Sequence, residues 1–328
     1  MQAATLSAGT LRRRLFGLSP EEATFSKRGF NSADGGARSH LEHIGRTFIR
    51  GYNAAHEEAN PDALASRLNA IEAEFKGFAF EGAAMALALL DILTPWRRDR
   101  WQSFLRGPGY GHKYMLYVGY GWALARLGRR AERPLAKLDP LLGWLAMDGY
   151  GFHEGYFHPR RYIVEQALPT RLSGYARRVF DQGLGRSLWF VEGAGPAGIA
   201  EAIAAFATAR QPDLWSGMGL ACTYAGGSNR LAIEALREKA GEHASWMAQG
   251  ATFAAKARQH AGNPTPHTEL ACRVLCGTGA DEAAQWADSA LEDLSYSSPI
   301  PAYEVWRQRI RSQAERAIKE VEKEVGTV

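Results

Sequence analysis

Met147-Asp148-Gly149-Tyr150-Gly151 is the stretch that decides the fold. It sets two glycines into sequence that otherwise reads as helix. The same kind of anchor recurs as Phe80-Glu81-Gly82, Val118-Gly119-Tyr120-Gly121, Val191-Glu192-Gly193-Ala194-Gly195, Gly217-Met218-Gly219, Gln249-Gly250-Ala251 and Cys276-Gly277-Thr278-Gly279. Counted between first glycines, the steps are 37, 30, 44, 24, 33 and 27 residues. A glycine inside a helix costs about 1 kcal/mol against alanine. Seven of them at similar points imply close helix–helix approach, and the spacing overlaps that of helical repeat arrays. The predicted fold is all-α: an array of helical hairpins, an α-solenoid loosely tetratricopeptide-like, with degenerate Gly-anchored repeats.

Outward from that stretch, helices are expected at 40–55, 61–75, 78–93, 110–128, 132–148, 150–157, 160–168, 172–182, 184–208, 213–225, 228–240, 243–261, 266–275, 280–294 and 302–326. Residues 78–93 are apolar nearly all round, which marks a central helix. Ser19-Pro20-Glu21-Glu22 is a helix start, with Ser as N-cap and Pro in the first turn. That puts a short helix near 20–27. Pro95 ends the central helix, and Trp96 to Trp101 read as a charged, aromatic connection. The chain divides into an N-terminal extension with a short helix (1–40), a helical-repeat domain (41–300) and a charged C-terminal capping helix (301–328). Tyr303, Val305, Trp306 and Ile310 give that last helix an apolar face, and its Glu/Lys-rich end, with pairs such as Glu320/Lys323, is read as solvated.

The 328 residues carry a net charge of +4. Arg outnumbers Lys by 31 to 8, a skew that a GC-rich coding sequence produces by itself. The charges are interspersed, so no nucleic-acid partner is expected. Cys222, Cys272 and Cys276 form no disulfide framework, and a reduced, cytoplasmic setting fits. No apolar segment follows Arg12-Arg13-Arg14, so no signal peptide is read. No apolar run reaches the 18 residues of a membrane span. Gly193-Ala194-Gly195-Pro196-Ala197-Gly198 spells G-x-G-x-x-G, but no strand precedes it, which argues against dinucleotide binding.

Residues 109–162 hold the densest chemistry. Tyr110, Tyr114 and Tyr117, at i, i+4 and i+7, share one face of the helix expected at 110–128. With Trp122, Tyr150 and Tyr156 they make a candidate aromatic wall for a flat apolar ligand, or else a helix–helix interface. His112, Asp148, His153, Glu154 and His158 are the candidate acid–base residues. Gly151 to His158 contains H-E-x-x-x-H, not the H-E-x-x-H of zinc peptidases. His at i and i+5 lie about 140° apart on a helix, so a shared metal ion requires a break near Gly151, Gly155 or Pro159. His112, His153 and His158 are the candidate ligands of such an ion, whose identity the residues leave open, as they do any cofactor.

Four strings carry a resemblance: Leu15 to Phe25 (LFGLSPEEATF), Phe80 to Met85 (FEGAAM), Gly149 to Phe157 (GYGFHEGYF) and Asp181 to Phe190 (DQGLGRSLWF). Over about residues 10–312 the chain resembles the UnbL-like proteins, a bacterial family of unknown function found beside enediyne polyketide synthases. The resemblance implies a role in natural-product biosynthesis after the synthase, on a linear conjugated polyene. It implies UnbU-like membrane and UnbV-like partners, with the protein cytoplasmic or held at the inner face of the membrane through a partner. It transfers no catalytic residue. The alternative is a non-catalytic helical scaffold that presents the polyene or docks partner proteins.

Overall fold

The structure, a computed structural model, describes residues 8–31, 34–94, 96, 99–128, 132–169, 172 and 174–325. Its helices, in chain order, are α1 (Ala8–Phe16), α2 (Phe25–Arg28), α3 (Gly35–Glu57), α4 (Pro61–Asn69), α5 (Ala73–Leu93), α6 (Arg100–Arg106), α7 (Lys113–Arg126), α8 (Glu132–Leu135), α9 (Trp144–Phe157), α10 (Tyr175–Val191), α11 (Pro196–Ala204), α12 (Gln211–Ala225), α13 (Arg230–Ala240), α14 (Ala244–His260), α15 (Pro266–Leu275), α16 (Ala280–Ser289) and α17 (Ala302–Val325). No strand occurs among the described residues. The all-α helical-repeat fold is therefore what the chain adopts.

Glycine pairs hold the array together, and they are reciprocal. Gly51 of α3 lies against the carbonyl of Ala79, and Gly82 of α5 against that of Phe48. Gly121 and Gly149 meet Ala146 and Val118 in the same way, and Gly151 and Gly183 meet Phe180 and Asp148. Gly185 and Gly217 meet Leu214 and Gln182, and Gly219 and Gly250 meet Met247 and Ser216. In each pair a glycine touches the carbonyl three residues before its partner. Between α5 and α7, Ala84 stands in for one glycine while Gly119 lies on the carbonyl of Glu81. A Cβ added at any of these glycines would come within 1.8 to 2.2 Å of that oxygen, so only glycine permits the approach.

The G-x-G spelling follows from this geometry. Residues i and i+2 project about 200° apart at 3.6 residues per turn. The first glycine therefore faces the preceding helix and the second the following one. Counted between partners, the steps 51–82, 84–119, 121–149, 151–183, 185–217 and 219–250 are 31, 35, 28, 32, 32 and 31 residues, far more regular than the sequence alone implied. Two of the seven expected anchors are not crossings. Gly193 and Ala194 take left-handed φ values of 55° and 60° in the turn after α10, and Gly277, at 76°, sits between α15 and α16. The anchor of α10 is Gly183-Leu184-Gly185.

The array curls until its two ends touch. Arg258 of α14 donates to the carbonyls of Glu74 (2.7 Å) and Tyr224 (2.6 Å). Asn263 donates to the Ala73 carbonyl at 3.0 Å, and the His40 ring meets the Ala225 carbonyl at 2.7 Å. The C-terminal helix fills the inside of the curl. Tyr303, Trp306 and Ile310 are buried as expected. The helix does more than cover the last repeat, because Arg307 reaches Asp213 of α12 (2.7 Å) and Gln249 of α14 (3.1 Å). Tyr175 of α10 donates to Glu304 at 2.7 Å.

Boundaries shift where capping outweighs periodicity. Asp34 caps α3 by accepting from the Gly36 amide, so the helix starts five residues before the expected one. The helix expected at 20–27 is a 3₁₀ turn, Pro20–Ala23, and then α2, closed by Gly29 at φ 69°. Part of the connection after Pro95 is α6, while Pro95, Arg97 and Arg98 lie outside the described residues, as do the side chains of Glu320 and Lys323. Two expected breaks are absent. Helix α9 runs unbroken through 148–150 and α10 through 182–184, because their glycines pack against backbone instead of ending helix.

Candidate site between two apolar cavities

Inside the curl, one charged cluster stands in apolar surroundings. Glu81 sits mid-way along α5 and is 1% exposed; Arg186 of α10 and Asp148 of α9 are 4% and 0% exposed. Arg186 donates to one oxygen of Asp148. Gln182 donates to the other at 2.7 Å and also contacts the Tyr303 hydroxyl at 3.1 Å. The crossing glycines set these positions. Gly119 lies on the backbone of Glu81, Gly183 on that of Asp148 and Gly217 on that of Gln182, so three close contacts register the helices that bear the cluster.

Apolar cavities flank the cluster. The first is lined by Leu18, Ile44, Phe48, Phe78, Trp122, Phe152, Tyr156, Phe157 and Phe190, with Glu81 and Glu22 in its wall. The second is lined by Tyr114, Val118, Leu145, Leu220, Tyr224, Phe253 and Trp306, with Arg186 and Lys256 in its wall. They hold about 40 and about 30 Å³, room for roughly two or three waters each at 10–15 Å³ apiece. Only a thin partition divides them. Phe78 of the first meets Tyr224 of the second edge-on, with ring centroids 5.2 Å apart. The Arg186 guanidinium lies 4.7 Å from the Phe152 ring.

Electrostatics single out Glu81. Burial pushes its carboxyl up to about 8, against the opposing pull of Arg186. Asp148 adds to the rise, having already claimed Arg186, while the Trp122 indole favours the anion. The indole N–H closes no hydrogen bond of ordinary geometry, and Glu81 Oε1 has no partner. A carboxyl so placed is a neutral acid at pH 7, held in apolar surroundings.

The expected site residues scatter around this cluster. Asp148 is in it. Trp122 and Tyr156 line the first cavity and Tyr114 the second. Tyr110, Tyr117 and Tyr150 line neither. The expected Tyr face fails because α7 starts only at Lys113, leaving Tyr110 exposed on a 3₁₀ turn. Tyr110 and Tyr114 flank His260, whereas Tyr117 turns to Trp101. Tyr150 packs toward Phe180. His153 is buried beside Trp122 and Phe157, and burial lowers its pKa. It lies 3.3 Å from Glu154 without hydrogen-bond geometry. His158 is exposed just after α9.

His112 is stacked on Phe80 at 4.1 Å, under the influence of Lys76, Arg258 and His260 rather than of His153 or His158. Of the three histidines read as metal ligands, His153 and His158 have ring centroids 6.3 Å apart, and His112 stands apart from both. Among the described residues no three His, Cys, Asp or Glu side chains converge on a point that could hold a metal ion. Glu81, Arg186, Gln182, Tyr224 and Tyr303 were missed as site residues. The available signal was a lone Glu in the otherwise apolar run of residues 78–90, which has to be paired, protonated or functional.

These features define an all-α repeat protein whose curled array encloses a buried carboxyl beside apolar cavities. The chain matches, over residues 7–314, the family described as protein of unknown function DUF1702, and it belongs to that family. No curated protein and no solved structure matches it.

Proposed function

We propose that the protein binds a long, flat, apolar small molecule along the two cavities and acts on it by proton transfer from Glu81. The ligand class is the linear conjugated polyene of natural-product biosynthesis that the UnbL-like resemblance implies, and the protein works alone or as a subunit of a modifying complex. The observation that carries the reading is the buried Glu81 carboxyl in the wall of an aromatic-lined cavity, with its Oε1 unpartnered and its pKa raised by burial. In such a reaction the carboxyl O–H bond breaks as a C–H bond forms at one end of a conjugated double bond. The allylic cation left behind lies among the faces of Trp122, Phe152 and Tyr156, which stabilise positive charge. Loss of a proton from another carbon to the Glu81 carboxylate restores the acid and moves the double bond. No co-reactant is consumed. Asp148 holds Arg186 and so keeps Glu81 from becoming that cation's permanent partner.

The cavities are narrow in this structure, so binding requires side chains to swing aside. Leu18, Glu22 and Phe157, all half-buried, line the first cavity on its outer side. The test is titration with a conjugated tetraene fatty acid, read by energy transfer from tryptophan, in wild type and Trp122→Phe. Deuterium incorporation from heavy water, read by mass spectrometry, then compares wild type with Glu81→Gln. Saturable binding weakened by Trp122→Phe, with exchange lost in Glu81→Gln, supports the proposal. Binding without exchange in either protein moves the reading to a scaffold that presents the polyene. No binding at all removes it.

A further inference from the structure

Helix α1 is docked with its polarity inverted. Its inward side is mostly polar or bare. Gly9 lies against the carbonyl of Glu57, Arg12 donates to the His56 carbonyl at 2.9 Å, and Arg13 pairs with Glu57. Phe16 stacks on the buried His56 ring at 5.9 Å, whereas Leu11 and Leu15 face out, 49% and 67% exposed. An amphipathic helix on a water-soluble surface packs the other way round. Arg14 is exposed on the same helix. The outer face of α1 therefore carries Leu11 and Leu15 with Arg14 beside them.

That face adjoins the first cavity. One residue after α1, Gly17 leads into Leu18, which is held by Asn53 through its amide (3.0 Å) and its carbonyl (2.9 Å) and forms part of the cavity wall. Arg28, 5.0 Å over the Phe157 ring, stands over another wall residue.

We propose that α1 docks the protein directly on an anionic lipid surface, with Leu11 and Leu15 in the headgroup–acyl boundary and Arg14 against lipid phosphates. Exposed apolar side chains flanked by arginine are what such a surface binds. A second copy of this chain would have to offer an acidic counterpart to Arg14. Docking this way sets the first cavity beside the bilayer, where a long apolar molecule partitions. The docking itself does not depend on the chemistry assigned to Glu81.

Flotation of the full chain with vesicles tests this, using phosphatidylcholine alone and an equal mixture of phosphatidylcholine with phosphatidylglycerol. The expected result is binding to the mixture only, weakened by salt. Leu11→Ser/Leu15→Ser should abolish it, and Arg14→Glu should weaken it about tenfold. All three positions are exposed, so folding is preserved, as circular dichroism would verify. Equal flotation of wild type and variants, or no flotation, overturns the proposal. So does a wild-type dimer in sedimentation analysis that Leu11→Ser/Leu15→Ser dissociates, since the face would then be a contact between copies. The tetraene titration of the wild type in the absence of vesicles reads the cavity separately from the docking.

Discussion

Gly183 lies on the backbone of Asp148: a Cβ added to Gly183 would come 1.9 Å from the Asp148 carbonyl oxygen and 2.8 Å from the Phe152 amide. The contact joins the repeat to the candidate site, because it fixes α10, which carries Arg186, against α9, which carries Asp148. No side chain can yield there, since both neighbouring groups are backbone. Gly183→Ala is expected to cost about 3 kcal/mol or more, the upper range of overpacking penalties. At 2–4 °C per kcal/mol for a large domain, Tm falls by roughly 6 °C or more. Gly35→Ala is the control. Nothing lies within 4 Å of a Cβ there, so the gain in helix propensity leaves Tm unchanged or slightly higher.

Glu81 gives stability a pH dependence whose sign can be worked out. Its folded pKa, about 8, is above the ordinary 4.5. Between those values the folded chain holds a proton that the unfolded chain has released. Its contribution is fully present below about pH 4.5 and is lost as pH rises through 8. Glu81→Gln keeps the shape without the charge. Against wild type it is expected to gain Tm at pH 9 and to gain little at pH 5, as parallel melts would show. An equal change at both pH values would mean that Glu81 is ionised throughout.

Much of the helical architecture was legible in the sequence, and the site was not. Helix positions such as 266–275 were readable because Thr265 and Pro266 mark a start that the structure keeps. The G-x-G anchors were readable as close approach because glycine has no other use inside a helix. Their reciprocity was hidden, since it depends on which carbonyl each glycine meets. The site was missed because His, Glu and Tyr clustered in 109–162 drew the reading. Burial then sent His112 to Phe80, Tyr117 to Trp101 and His158 to the surface. Only part of the cluster stayed together in space: Trp122 meets Phe152, His153 and Tyr156, while His112 and Tyr117 turn elsewhere. Glu81 and Arg186 are 105 residues apart, and only the crossings of α5, α7, α9 and α10 bring them together.

Arg186 and Asp148 form a fully buried ion pair, and removing one partner strands the other. Asp148→Asn is expected to cost about 3 kcal/mol, near the lower end for a broken buried pair. It also changes Glu81. Asp148 raises the Glu81 pKa and competes for Arg186, so without it Glu81 takes over the guanidinium and ionises lower. In protein labelled with ¹³C at glutamate side chains, the Glu81 carboxyl should titrate well below 8 in Asp148→Asn. If its titration stays near the wild-type value, the three groups are not coupled as the geometry requires.

Buried histidines act on stability in the opposite sense to Glu81. Burial, reinforced by nearby cations, brings His56, His112 and His267 down to about 4 from 6.5. Neither ring nitrogen of His56 has a hydrogen-bond partner, so nothing in the fold offsets a charge there. Between pH 4 and 6.5 the unfolded chain binds more protons than the folded one. Stability therefore falls as pH drops through that window, by up to about 1.4 kcal/mol per pH unit for each histidine. Glu81 offsets about one of the three above pH 4.5. A net acid loss should remain, and His56→Leu should reduce it by about one histidine's share. Its Tm, compared with wild type, should improve on going from pH 7 to pH 5 in a melting series at fixed ionic strength. A parallel decline of the two proteins would show that His56 is hydrated and protonates freely in the folded chain.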